Sequence, residues 1–182
     1  MLATDPACWV FLDETSSNTA MDRTYGRAAS GKPVDGPVPH GHWKTTTLTA
    51  AVRLDGVIEP ACMACDGATN GSLFEHYLEC YLLPQLRQGD LVILDNLPAH
   101  KIVAVERLVT AAGASVCYLP PYSPDFNPIE AMFSKLKAFL RSAKARTFGA
   151  LLAAIDEGLK TIRPSDIMGW FTHCGFLVEC QP

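Results

Sequence analysis

The 182-residue sequence contains no uninterrupted apolar run near the ~18–20 residues that cross a bilayer, which argues against a transmembrane helix. Its opening stretch, MLATDPACWVFLDET, lacks the basic lead-in and apolar h-region of a secretory leader, so export is not expected. It also lacks an even complement of cysteines. Seven fit the reduced thiols of a cytoplasm better than a disulfide framework. Charge is sparse, at 19% of residues, and the net value of −4 is short of the positive excess that marks a stand-alone nucleic-acid binder. Internal repeats and low-complexity tracts are missing too. What is present is apolar mass: 48% hydrophobic residues in a chain of single-domain length, by the usual ~100–200 residues per domain. That composition excludes wholesale disorder and provides for a packed core.

The apolar runs are short and punctuated. Cys8 to Leu12 (CWVFL) reads as a buried strand closed by Asp13-Glu14-Thr15. A Gly/Pro-dense loop, Gly26 to His42, carries Arg27, Lys32, His40 and His42. Trp43 to Leu54 has the Thr and Val content of a strand, Asp55-Gly56 signals a turn, and Val57 to Cys65 offers another strand. Ser72 with Glu75 forms a capping-box pattern ahead of the stripe Leu73, Phe74, Tyr77, Leu78, Tyr81 and Leu82, and Pro84 ends that helix. Strand Leu91 to Leu94, a helix from about Pro98 to Ala112, strand Ala114 to Leu119 and a helix from Pro128 to about Ala143 follow. Phe148 to Ile162 predicts one more helix, closed by Arg163-Pro164, and Phe171 to Cys180 a short edge strand or irregular tail. Strands first, then alternating helix and strand, predict an α/β mixed sheet with helices packed on its faces.

Three acids stand at the ends of these elements. Asp13 closes the first strand, Asp95 follows Leu91–Leu94, and Glu130 lies in the first turn of the Pro128 helix, with 34 residues between the last two. In an α/β sheet the carboxyl ends of strands and the adjoining helix starts share a rim where ligands bind. Each acid also has a plain structural role open to it: Asp95 as a turn former, Glu130 as a capping-box partner to an Asn127 N-cap. Together at one rim they would repel one another unless cations neutralise them, and hard oxygen donors suit Mg²⁺ or Mn²⁺. The pattern points to metal-dependent phosphoryl transfer.

The segments DET (13–15), DNLPAHK (95–101) and LPPYSPDFNPIE (119–130) resemble the catalytic domain of DDE transposases, in the insertion-sequence branch of the Tc/mariner superfamily. GHWKTTTLTAAVRLDG and CDGATNG are similar to family sequence as well, so the resemblance covers nearly the whole chain. It implies an RNase H-like fold. It also implies a metal-binding triad of Asp13, Asp95 and Glu130, with Asp13 and Asp95 shared between two Mg²⁺ or Mn²⁺ ions and Glu130 on one of them. Two such ions ~3.5–4 Å apart clamp the attacking and leaving oxygens of an in-line displacement at phosphorus. The expected partners are double-stranded DNA, both transposon ends and target, and a second copy of the chain, acting in a bacterial cytoplasm at the nucleoid. Family members carry helix-turn-helix modules ahead of the catalytic domain. Only twelve residues precede Asp13, so a single catalytic domain without those modules is expected, with a separately encoded DNA-binding half as one arrangement.

Other residues carry open alternatives. Lys135, Lys137, Arg141, Lys144 and Arg146 fall between Ala131 and Ile155 with no acid among them, which fits either a phosphate-contacting face or a solvated helix surface. Asn96, His100 and Asn127 flank the acids as candidate supporting partners, or serve as turn, cap and structural residues. The Gly26–His42 loop is where the family places a hairpin that touches DNA or a partner subunit; its plain reading is a surface loop. Cys62, Cys65, His76 and Cys80 provide four soft ligands for zinc, although i and i+3 positions on a strand point to opposite faces. Two functional alternatives to transposition remain at this stage: an RNase H-like nuclease without strand transfer, and an inactive remnant that binds DNA or dimerises.

Overall fold

The computed structural model describes residues 5–36, 39–40, 43–95, 103–121 and 123–177. Asn96, His100 and His42 lie outside them. Among the described residues a six-stranded mixed sheet forms in the order β3-β2-β1-β5-β6, with β4 also paired to β2. The strands are β1 (Trp9–Asn18), β2 (Thr45–Arg53), β3 (Gly56–Val57), β4 (Met63–Asp66), β5 (Leu91–Leu94) and β6 (Ser115–Tyr118). The helices are α1 (Gly71–Tyr77), α2 (Val103–Ala111), α3 (Pro128–Ala143), α4 (Phe148–Lys160) and α5 (Pro164–His173).

Strand alternation separates two cores. Trp9, Phe11, Leu91 and Ile93 face α3, α4 and α5, packing with Ile129, Phe133, Leu136, Leu151, Ile155 and Phe171. Val10, Leu12, Val92 and Leu94 face the other way, onto Phe74, Tyr77, Leu78, Leu82 and the α2 residues Val105 and Val109. Helices therefore cover both faces, as the element order predicts. α4 lies close on α3: a Cβ at Gly158 would sit 2.5 Å from Leu136 Cδ1, so the bare glycine sets the spacing.

Four expectations are corrected. β1 does not stop at Asp13 but runs on to Asn18, because Thr15–Asn18 find ladder partners in Thr45–Leu48 of β2. The helix after β4 is capped by Asn70, whose Oδ1 accepts from the Leu73 N–H at 2.9 Å; Ser72 lies inside the helix and donates to the same oxygen. That helix continues as a wider π turn over Leu78–Leu82. Arg163-Pro164 follows the end of α4 as expected but also opens a further helix, α5, with the Arg163 N–H donating to Asp166 Oδ2 at 2.8 Å. Phe171 consequently belongs to a helix and packs edge-on against Phe11, at 5.3 Å between ring centroids.

Candidate active site

β1 and β5 run parallel with Trp9 opposite Leu91, Val10 opposite Val92 and Phe11 opposite Ile93. Two residues further along the same register stand Asp13 and Asp95. Adjacent strands lie ~4.7–4.9 Å apart, and alternate residues share a face. Asp13 thus shares the side of Phe11, which α3 covers, and Asp95 is the first residue after β5. Glu130, the third residue of α3, sits exposed at the start of that helix. Asn127, the residue before α3, reaches Asp13, which links the start of α3 to the middle of β1.

Asp13 is the most enclosed of the three, with only 7% of its surface exposed. Its Oδ1 accepts from the Glu14 N–H at 2.7 Å and its Oδ2 from Asn127 Nδ2 at 2.8 Å. These two donors fix the carboxylate in a low-dielectric setting where its charge is felt strongly. Asp95 follows directly on β5 and is half-buried.

Asn127 does not cap α3 through its side chain, contrary to expectation. Its amide turns to Asp13 instead, and its backbone N–H donates to Pro124 O at 2.9 Å. With that N–H engaged, Glu130 does not complete a capping box and stands simply as an acid in the first turn of α3. Asn127 Oδ1 is buried without a hydrogen-bond partner. It places a further hard oxygen beside the acids.

The donor set therefore fits a hard divalent cation in kind: carboxylates and an amide oxygen, with no thiol among them. Among the described residues, Asp13, Asp95 and Glu130 included, no group of three or more His, Cys, Asp or Glu side chains is placed so that it could hold a metal ion. Nor do Cys62, Cys65, His76 and Cys80 form such a group. Burial pushes the Cys62 thiol up to about 12, which keeps it protonated, and it donates to Ile58 O at 3.7 Å. Cys80 is exposed and contacts His76 Nδ1 at 3.6 Å, while Cys65 lies 4.0 Å from Thr69 Oγ1.

The basic run on and after α3 divides in two. Lys135 Nζ donates to Asp166 Oδ2 at 2.5 Å and to Thr161 O at 3.3 Å, tying α3 to α5. Lys144 pairs with Asp22 Oδ1 at 2.7 Å, and Arg146 pairs with Asp22 Oδ2 at 2.8 Å while also donating to Met21 O. The Lys144 hydrogen bond, foremost, and the Arg23 N–H hold the Asp22 carboxyl below its ordinary value of 3.8. Lys137 and Arg141 have no ion-pair partner among the described residues and line an open cleft beside β1. Asp22 and Trp43, which also line it, were not visible as site residues in the sequence. Asp22 meets Lys144 and Arg146 across more than 120 positions, and Trp43 reads as the start of an ordinary strand.

The family model of the DDE superfamily endonucleases matches residues 9–152, and the chain belongs to that family. Among solved structures it is similar to the Mos1 transposase paired-end complex with left transposon end, at a TM-score of 0.74 and 17% identity over 93% of this chain and 52% of that one. The mariner Mos1 paired end complex with Mg gives a TM-score of 0.72 and 18% identity over 94% of this chain and 53% of that one. The catalytic domain of Mos1 mariner transposase gives 0.58 and 17%, over 93% of this chain and 78% of that one. At such identities the likeness establishes the fold, which is RNase H-like. The chain spans about half the length of the Mos1 chains in the paired-end complexes. No curated protein sequence matches it. No helix among the described residues is long and apolar enough to cross a membrane.

Proposed function

We propose that the chain is the catalytic domain of a DNA transposase, cutting DNA strands and joining 3′-ends to target DNA by metal-dependent phosphoryl transfer at Asp13, Asp95 and Glu130. The observation that carries this reading is the parallel β1–β5 register, Trp9–Phe11 against Leu91–Ile93, which continued by two residues would set Asp13 opposite Asp95, together with the bond from Asn127, just before α3, to Asp13. Family membership and the Mos1 complexes with DNA ends, with Mg and with Mn support it.

Asp13, Asp95 and Glu130 are the residues that would hold the divalent metal. When bound, Mg²⁺ or Mn²⁺ supplies Lewis acidity for in-line displacement at phosphorus. The protein's own contribution is positioning. Asn127 and the Glu14 N–H orient Asp13, leaving its remaining lone pairs directed to the rim. The scissile phosphate lies across that rim, attacked by water in cleavage and by a DNA 3′-hydroxyl in joining, with no covalent link to protein. Asn96 and His100, next to Asp95 in sequence, are proposed to support the same rim.

The DNA-contacting face expected over Lys135, Lys137, Arg141 and Lys144 narrows to Lys137 and Arg141, since the other two are engaged with Asp166 and Asp22. A homodimer holding a pair of DNA ends is the proposed working unit, acting at the bacterial nucleoid. Recognition of end sequences would come from a DNA-binding unit beyond these 182 residues, in the same polypeptide or separately encoded.

The discriminating experiment supplies a labelled duplex with a free 3′-hydroxyl, supercoiled plasmid and Mn²⁺. Transfer of label into plasmid, abolished by a 3′-dideoxy end and by Asp13→Asn, is the expected result. Plasmid nicking without label transfer would replace the transposase reading by that of a nuclease.

A further inference from the structure

β4 is an edge strand. Its register with β2 sets Met63, Ala64 and Cys65 against Thr49, Leu48 and Thr47, and among the described residues no strand pairs its other side. Alternate backbone N–H and C=O groups of Met63–Asp66 therefore face outward, open to a further strand. The edge lies two strand spacings, about 10 Å, across the sheet from β1.

Beside this edge the sheet and α4 do not close completely. A recess lies between them, with Leu48 and Ala64 on the sheet side, Ile155 and Leu159 on the helix side, and Glu59 and Asp156 at its lip. Ala64 packs with the core under α4, whereas Met63 turns to the opposite core, as strand alternation requires. A strand laid along β4 would follow the same alternation and send every second side chain toward the recess. The apolar lining suits a branched apolar side chain there.

The lip is acidic. Asp156 accepts from Lys160 Nζ at 2.6 Å, one helical turn on. That hydrogen bond, foremost, with the fields of Glu59 and Glu157 adding to it, raises Lys160 above its ordinary value of 10.5. Three carboxylates around one ammonium leave the lip net negative. Such a field repels DNA phosphates and favours a basic partner. It also disfavours self-pairing, since a second copy of β4 would bring its exposed Asp66 and another acidic lip against the first.

We propose that β4 is a docking edge for an extended segment of a second protein, which adds as a strand and sets a branched apolar side chain in the recess with a Lys or Arg against Glu59 and Asp156. Backbone pairing would supply affinity, and the recess and its acids the choice of sequence. The inference stands apart from the catalytic reading and holds equally for a chain that cuts no DNA.

The test uses the purified chain and fluorescein-labelled short peptides that alternate Lys with Val or Ile. Comparison peptides carry Glu in place of Lys, or the same composition with the lysines grouped at one end. Anisotropy reads binding, and amide hydrogen exchange reads where it occurs. The alternating Lys peptide is expected to bind roughly 10-fold tighter than either comparison peptide and to slow exchange across Met63–Asp66. Glu59→Lys with Asp156→Lys, both at exposed positions, inverts the charge preference while leaving the thermal midpoint little changed. Ala64→Leu, which fills the recess, weakens the Lys peptide; should that variant lose its fold, the charge reversal alone decides. Equal binding of the three peptides, no binding, or binding without protection of β4 overturns the proposal. Protection of β4 that grows with protein concentration in the absence of peptide overturns it too, and gives the edge to a second copy.

Discussion

Asn127 occupies the position before α3, yet its amide donates to Asp13 rather than to the helix, and its Oδ1 is buried without a partner. An unpaired buried oxygen costs on the order of 1–3 kcal/mol, and such a cost is tolerated where a neighbouring group gains from it. Here that group is the Asp13 carboxylate, held in one orientation at the rim. Asn127→Ala is expected to lower stability by about 1–2 kcal/mol in urea titration. It should also slow nicking by roughly 10–100-fold and raise the Mn²⁺ concentration needed for half-maximal rate. A stability loss with an unchanged Mn²⁺ requirement would make Asn127 a purely structural residue. At this scale the positions of the three acids were legible in the sequence, since Asp13 and Asp95 each end an apolar run and Glu130 stands in the first turn of a helix. The Asn127–Asp13 bond was not. Its partners are 114 positions apart, and a local reading assigns Asn127 to the helix cap that its neighbours Pro128 and Glu130 advertise.

Among the elements, β1 and α3 determine the site. β5 pairs with β1 only over Trp9–Phe11, whereas β2 follows β1 to Asn18, so β1 projects past the rim and lines the cleft beside Lys137 and Arg141. α3 is fixed from behind through Lys135, which reaches Asp166 on α5. That hydrogen bond, foremost, and the Arg163 N–H hold the Asp166 carboxyl below its ordinary value of 3.8. A carboxylate lowered on folding contributes stability that is fully present above its unfolded value and lost as pH falls through the lower folded one. Asp166→Asn should therefore reduce the thermal midpoint at neutral pH, and the gap from the parent protein should close below about pH 3.8. A gap independent of pH would show that the pair adds nothing through charge. The bounds of α3 were legible because Asn-Pro starts a helix and its apolar face is regular. α5 was missed, since a proline serves equally as a stop for one helix and the first residue of the next. Its Phe171 reads as strand-forming until packing on Phe11 overrides that preference.

At the scale of the molecule, a mixed α/β sheet covered on both faces is legible from the element order, whereas the RNase H-like fold is legible only through the resemblance carried by the DET, DNLPAHK and SPDFNPIE segments. The cationic cleft is not legible, because it depends on which of five nearby cations find acids elsewhere in the chain. The proposed activity depends on Asp13, Asp95 and Glu130 working together with metal. The most direct test is nicking of supercoiled plasmid by the purified protein in Mn²⁺, with EDTA and Asp95→Asn as controls. The account predicts nicking in Mn²⁺, loss of nicking in EDTA, and loss in Asp95→Asn with the thermal midpoint little changed. Full nicking by Asp95→Asn would contradict it and remove the carboxylate at the end of β5 from the chemistry.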